Sequence, residues 1–195
     1  HYDKSKEVTS GRGNLSFTSI NLPRLGIEAK GDIRRFYEKL DECMELVCRQ
    51  LLHRFKIQAA KKGRNYPFLM GQGVWIDSDK LNPDDEIEEV IKHGTLSVGF
   101  IGLAETLKAL IGVHHGESEE AYQLGLKIIG HMRRRIDTQS EIDKLNFSLI
   151  ATPAEGLSGR FTNIDKAIYG IIPGVTDRDY YTNSFHVPVY YNTSI

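Results

Sequence analysis

The chain has 195 residues, 40% of them hydrophobic and 26% charged, with a formal net charge of −1. That is enough for one ordinary domain with a core, and it is the composition of a soluble globular protein. The near-neutral balance argues against a broad nucleic-acid-binding surface but leaves room for a local basic pocket for one nucleotide.

No apolar run approaches the roughly 20 residues that span a membrane. His1–Ser10 is polar, carries no signal-peptide core and lacks an initiator Met, so the chain is expected to begin inside a longer protein. Cys43 and Cys48 are too few for a disulfide framework. The N-x-[ST] triplets at Asn14, Asn146 and Asn192 read as chance matches without a secretory signal. A cytoplasmic, reducing compartment is the expectation.

Leu15–Ile20 alternates apolar and polar residues and reads as a strand, limited by Pro23. Ile33, Phe36, Leu40, Met44, Val47, Leu51 and Phe55 recur at steps of three or four, which predicts a long helix with Asp32 as its N-cap. Gly63 and Pro67 end that region. Phe68–Met70 reads as a short strand before the loop Gly71–Gly73. Pro83–Lys92 reads as an acidic helix with Pro83 near its first turn. Thr95–Phe100 fits a buried strand or a helix start, and Leu103–Ile111 fits a helix.

A second long helix is expected over Glu119–Thr138, with Ala121, Leu124, Ile128, Ile129, Met132 and Ile136 on one face. Asn146–Ala151 reads as a strand closed by Thr152-Pro153, followed by a helix near Gly156–Asp165. Tyr180–Tyr191 reads as a last extended segment broken at Pro188. Strands alternating with helices predict an α/β fold with mostly parallel strands, the long helices serving as crossovers. No repeat, low-complexity run or linker divides the chain, so one domain, or part of one, is expected.

Three stretches can carry chemistry. Asn14 follows Gly11-Arg12-Gly13 at a strand start, where glycines let backbone approach a ligand and an Asn offers both a donor and an acceptor. An ordinary strand-entry turn explains the same residues. Thr152-Pro153-Ala154-Glu155-Gly156-Leu157-Ser158-Gly159-Arg160 lies between a strand and a helix, an arrangement that directs free N–H groups at an anion. Glu155 repels a phosphate unless it turns away, and a capped helix start with no ligand fits equally. The Gly-Lys-Ser/Thr ending of a Walker motif is absent. In Tyr180–Pro188, Asn183, Ser184 and His186 can converge on a ligand; a half-buried, satisfied histidine is the plainer alternative.

Cys43 and Cys48 are five apart on a helix, so their side chains diverge, and they lack a zinc-type spacing. They read as small core or surface thiols. His114-His115, flanked by Gly112 and Gly116, reads as loop. The residues alone support an α/β domain with a possible phosphate site and no complete catalytic set.

The segment Arg12-Gly13-Asn14-Leu15-Ser16-Phe17-Thr18-Ser19-Ile20-Asn21-Leu22-Pro23-Arg24 resembles a signature of the anaerobic, glycyl-radical ribonucleoside-triphosphate reductases. Three further stretches agree in the family's order: His93–Leu103 (HGTLSVGFIGL), Thr152–Ser158 (TPAEGLS) and Tyr181–Pro188 (YTNSFHVP). The resemblance covers essentially the whole chain. It implies a ten-stranded α/β barrel, of which this chain holds middle and later strands. It also implies reduction of ribonucleoside triphosphates to 2′-deoxyribonucleoside triphosphates for DNA synthesis, through a glycyl radical and a thiyl radical, with formate as reductant.

By the same resemblance Asn14 matches the active-site asparagine that hydrogen-bonds the ribose hydroxyls. Thr152, Pro153, Ala154, Glu155, Gly156, Leu157 and Ser158 match the substrate-phosphate loop. Asn183, Ser184 and His186 match a loop near the active site. The implied parent is a cytoplasmic homodimer with a structural zinc and a radical-SAM activating partner, binding neither nucleic acid nor membrane. The radical cysteine, the glycyl-radical segment, the zinc cysteines and the nucleotide-sensing region are expected outside these 195 residues, so the chain alone is expected to be inactive. A pyruvate formate-lyase-type enzyme and a non-catalytic nucleotide-binding module are the alternatives.

Overall fold

The computed structural model describes residues 2, 5, 8 and 10–192. Most of the polar start His1–Ser10 and the end of the Asn192 triplet lie outside the described residues. In chain order the elements are β1 (Asn14–Asn21), α1 (Leu22–Ala29), α2 (Ile33–Ala59), α3 (Glu88–Ile91), β2 (Thr95–Ile101), α4 (Leu103–Ile111), α5 (Glu119–Asp143), β3 (Asn146–Ala151) and α6 (Glu155–Tyr169).

The three strands form one parallel sheet in the order β1-β2-β3, so the fold is α/β as expected. Each strand is separated from the next by helices, the connection that parallel pairing demands. The Thr95 ambiguity resolves as strand. β2 is buried at every position after Thr95, the pattern of a central parallel strand covered on both faces, which explains why its sequence shows no alternation.

The chain divides into two compact units. The first comprises residues 1–18, 47–98 and 134–149; the second comprises 19–46, 99–133 and 150–195.

In the second unit, the first part of α2 buries Phe36, Leu40 and Met44. Asp32 caps that helix by accepting from Arg35 N at 3.1 Å, as its position predicted. Replacing Leu40 by Ala is expected to cost about 2–5 kcal/mol. Helix α1 is a finding beyond the sequence reading, which took Pro23 only as a strand limit. Pro23 instead occupies the first helical turn, and the Asn21 side chain accepts from Arg24 N at 3.3 Å as the N-cap. α1 packs against α4 at close range because Gly26 brings no Cβ: one there would lie 3.1 Å from the Thr106 carbonyl oxygen.

In the first unit, the later part of α2 buries Val47, Leu51, Phe55 and Ala59. Trp75 is buried there and donates from Nε1 to the Val90 carbonyl at 2.8 Å. α5 runs to Asp143, past the expected Thr138, and its expected apolar face is buried at Ala121, Ile128, Met132 and Ile136.

Three expectations need correction. Phe68–Met70 is turn, not strand, and Phe68 is exposed: three residues next to a Pro-Gly-rich stretch have no strand to pair with. Pro83–Lys92 is helical only over Glu88–Ile91, because the Asn82 amide groups bind Asp85 and hold its first part as a turn. Tyr180–Tyr191 makes a single antiparallel bridge, Asn183 to Ile101, rather than a strand.

Candidate functional site

In the first unit, Asn14 opens β1 with its side chain exposed. Its Oδ1 accepts from Ser97 Oγ at 3.1 Å, and Ser97 Oγ lies 3.0 Å from Ser148 Oγ. Ser97 has one hydroxyl proton and gives it to Asn14, so Ser148 must be the donor to Ser97. The polarity therefore runs from β3 through β2 to β1. It engages one lone pair of the Asn14 oxygen from the sheet side and leaves the amide N–H₂ free among the described residues. Ser97 is buried, which makes this a fixed internal contact. Arg54 flanks the same strand, with Nη1 donating to Ser16 Oγ and to the Phe17 carbonyl, each at 3.0 Å.

In the second unit, β3 leads through Thr152 and Pro153 into α6, which begins at Glu155. Its N-cap, Ala154, supplies no side-chain hydrogen bond, so the first-turn N–H groups keep no cap. Pro153, Glu155 and Gly156 are exposed. Ala154 and Leu157 pack instead on the apolar cluster of Ile101, Val175 and Tyr181. Ser158 is buried and its hydroxyl donates to the Glu155 carbonyl at 2.7 Å. The stretch Thr152–Ser158 thus splits into three exposed residues around an uncapped helix start and four buried or half-buried ones that anchor it.

Thr152 is buried, with its hydroxyl 3.4 Å from Ser19 Oγ above Gly99. A Cβ on Gly99 would lie 1.8 Å from Thr152 Oγ1, so only glycine fits that position of β2.

Asn183 and Ser184 join this loop. Asn183 Oδ1 accepts from Ala154 N at 3.4 Å, and Ser184 Oγ donates to the Thr152 carbonyl at 3.1 Å. The Asn183 oxygen and the Ser184 hydroxyl both bond loop backbone and so support the loop. His186 does not join them: it is exposed, with its ring against Phe185.

Sequence reasoning missed two buried carboxylates in this unit. Asp165 accepts from Asn21 Nδ2 (2.8 Å), Arg24 Nε (2.7 Å), Arg24 Nη2 (2.6 Å) and Tyr181 Oη (2.9 Å). Burial and the Asp165 charge push the Tyr181 hydroxyl well above its ordinary value, so it stays a donor. Glu105 Oε1 accepts from Thr182 N (3.1 Å), Thr182 Oγ1 (2.7 Å) and Arg178 Nη1 (3.1 Å). Burial raises the Glu105 carboxyl, opposed by its Thr182 and Arg178 partners. The sequence signal was a lone charge on the apolar face of α4.

With this geometry in view, the comparisons with known proteins are decisive. Residues 2–195 match the family model described as anaerobic ribonucleoside-triphosphate reductase. The chain belongs to that family. It is 39% identical over 190 residues to the anaerobic ribonucleoside-triphosphate reductase of Escherichia coli (strain K12), covering 96% of this chain and 26% of that protein. The reductase of that name from Enterobacteria phage T4 is 34% identical over 189 residues, covering 94% of this chain and 29% of its own length. The chain thus spans about a quarter of the length of the curated reductases it matches.

Among solved structures, the anaerobic ribonucleotide reductase from Thermotoga maritima with citrate in the active site superposes with a TM-score of 0.70 at 17% identity, covering 94% of this chain and 31% of that one. The same reductase in complex with dATP and CTP gives a TM-score of 0.69 at 18% identity, over 94% and 28%. These likenesses show a shared fold.

The family's radical and metal chemistry can be tested against these residues. Cys43 and Cys48 are free thiols on α2, and burial raises both, Cys48 to about 11. Neither is a ready thiolate. Among the described residues no group of three or more His, Cys, Asp and Glu is placed to hold a metal ion. His114 and His115 lie in the loop before α5, as expected, and burial lowers both imidazoles. No helix among the described residues is long and apolar enough to cross a membrane.

Proposed function

We propose that this chain is a piece of the catalytic core of an enzyme that reduces ribonucleoside triphosphates to 2′-deoxyribonucleoside triphosphates. The observation that carries the reading is the family match over residues 2–195. The parent is taken to be a cytoplasmic homodimer switched on by a radical-SAM partner, with its strands closing a ten-stranded barrel. Its radical residues and reductant, supplied from outside these residues, provide hydrogen abstraction and electrons. The residues in hand bind, orient and donate.

Asn14 is assigned to the ribose. Its outward amide N–H₂, fixed by the Ser148-Ser97 relay, suits the oxygen of a sugar hydroxyl and the negative charge that develops there during reaction. Thr152–Ser158 is assigned to the phosphates. The uncapped first turn of α6 offers N–H groups and the positive end of a helix dipole. Pro153, Glu155 and Gly156 lie nearest the ligand in this reading, with Ala154, Leu157 and Ser158 behind them.

A pair of substitutions at Glu155 in the full-length parent tests the phosphate assignment. Glu155→Pro removes one N–H at a helix position that tolerates proline. Glu155→Gln keeps the N–H and removes only the charge. KM for CTP should rise about 10-fold in the proline variant and stay level or fall in the glutamine variant. An unchanged KM in the proline variant contradicts the assignment.

A further inference from the structure

We propose that Glu105, acting through Thr182, is a positioning residue that sets the backbone opening α6 and so the geometry of phosphate binding. The inference rests on the reading of Thr152–Ser158 as a phosphate loop and deepens it.

Glu105 is 1% exposed on a helix whose other buried residues are mostly apolar. A buried carboxylate costs free energy unless it is well partnered. Three donors from one short segment converge on Oε1, namely Thr182 N, Thr182 Oγ1 and Arg178 Nη1, while Oε2 has no hydrogen bond. The carboxylate is therefore a clamp on residues 178–182.

That clamp lies next to the loop it steadies. The two residues after Thr182 are Asn183 and Ser184, whose side chains bond Ala154 N and the Thr152 carbonyl. Ser184 has φ +49°, a left-handed conformation that a serine holds only when its surroundings dictate it. The surroundings are the start of α4: Gly102 N donates to the Thr182 carbonyl at 2.8 Å and Leu103 N to the Ser184 carbonyl at 3.0 Å. Glu105 adds the side-chain contact that fixes Thr182 between those backbone bonds. From Glu105 to Ala154, each link is a hydrogen bond or a single residue step.

A purely structural Glu105 would disturb all ligand binding alike, whereas a positioning Glu105 affects phosphate recognition selectively. The full-length parent carrying Glu105→Gln, Thr182→Val or Thr182→Ser distinguishes the two. The readouts are KM and kcat for CTP, and Ki for cytidine, which lacks phosphates, as a competitive inhibitor. Glu105→Gln and Thr182→Val should each raise KM about 10-fold, with kcat and the cytidine Ki within about 3-fold of wild type. Thr182→Ser, which keeps the hydroxyl, should behave as wild type. Thr182→Val keeps the backbone bond to Glu105 and tests the proposal even if Glu105→Gln fails to fold. An unchanged KM in Thr182→Val, a serine variant no better than the valine one, or a cytidine Ki that rises in step with KM overturns the proposal. If Glu155→Pro raises KM and these variants do not, the phosphate loop stands and the positioning role falls. If Glu155→Pro has no effect, both fall.

Discussion

Ser97 Oγ donates to Asn14 Oδ1 at 3.1 Å, and that bond decides which end of the asparagine amide faces outward. An Asn side chain is ambiguous in sequence because it carries donor and acceptor alike. Here a buried serine occupies one lone pair of the oxygen and both amide donors remain. In the parent enzyme Asn14→Asp should therefore be harmful although it keeps the size of the side chain, because it replaces the outward donor with a charged acceptor. A loss of about 10²-fold in kcat is expected, against about 10-fold for Ser97→Ala, which frees the amide to turn and removes the partner of Ser148. Steady-state kinetics of the two variants checks the order.

Gly99→Ala should be severe. Its Cβ would meet Thr152 Oγ1 at 1.8 Å and Ser19 Oγ at 2.8 Å, so Thr152 must leave its place. Destabilisation of about 1–3 kcal/mol is expected from the overpacking alone. Adding Thr152→Ala removes the worst clash, so the double variant should be more stable than Gly99→Ala. Urea unfolding of the parent and its variants reads this non-additivity.

The cysteines should be dispensable. Burial raises both thiols, Cys48 to about 11, so neither forms a thiolate readily near neutral pH. The Cys43→Ala, Cys48→Ala double variant of the parent should retain reductase activity. Alkylation of Cys48 in the folded protein should stay slow up to about pH 9. Mass spectrometry after timed alkylation follows it.

A pH dependence is expected from Glu28 and Tyr169. Glu28 accepts from Lys39 Nζ at 2.7 Å and from Tyr169 Oη at 2.5 Å, and these bonds hold its carboxyl below the ordinary 4.5. Burial and the same Glu28 bond push Tyr169 up to about 12. A depressed acid stabilises the fold above its unfolded value and loses that contribution as pH falls through the folded one. A raised tyrosine stabilises the fold below about 10 and loses its contribution as pH rises toward 12. Tyr169→Phe should thus cost about 1 kcal/mol at pH 7, and the gap to wild type should narrow in acid. Urea midpoints at pH 7 and pH 4 compare the two.

Local pattern made much of this fold legible. Asp32 as cap, the α2 stripe and the bounds of α4 all follow from side-chain periodicity, which the chain carries in order. Elements set by tertiary partners were less visible. α1 is eight residues long with a proline in its first turn, so its periodicity is too short to register. Tyr180–Tyr191 has strand-like residues, yet only Asn183 finds a partner strand. The same division holds at the site. Asn14 and the Thr152 loop stood out by their residue types and neighbours. Glu105 and Asp165 did not, because their partners lie 73 to 144 positions away in sequence or, like Tyr181, come from a segment with no regular structure. His186 carried a suggestive residue type, but its ring stands exposed beside Phe185 while its backbone N–H bonds the Asn183 carbonyl.

The most direct measurement is anaerobic conversion of CTP to dCTP by the activated full-length parent, with and without Asn14→Ala. The wild type should form dCTP, and the variant should retain KM within about 3-fold while kcat falls about 10²-fold or more. A wild-type parent that forms no deoxynucleotide from any ribonucleoside triphosphate, or an Asn14→Ala variant that turns over at the wild-type rate, would contradict the assignment of this chain to the ribose-binding core of a reductase.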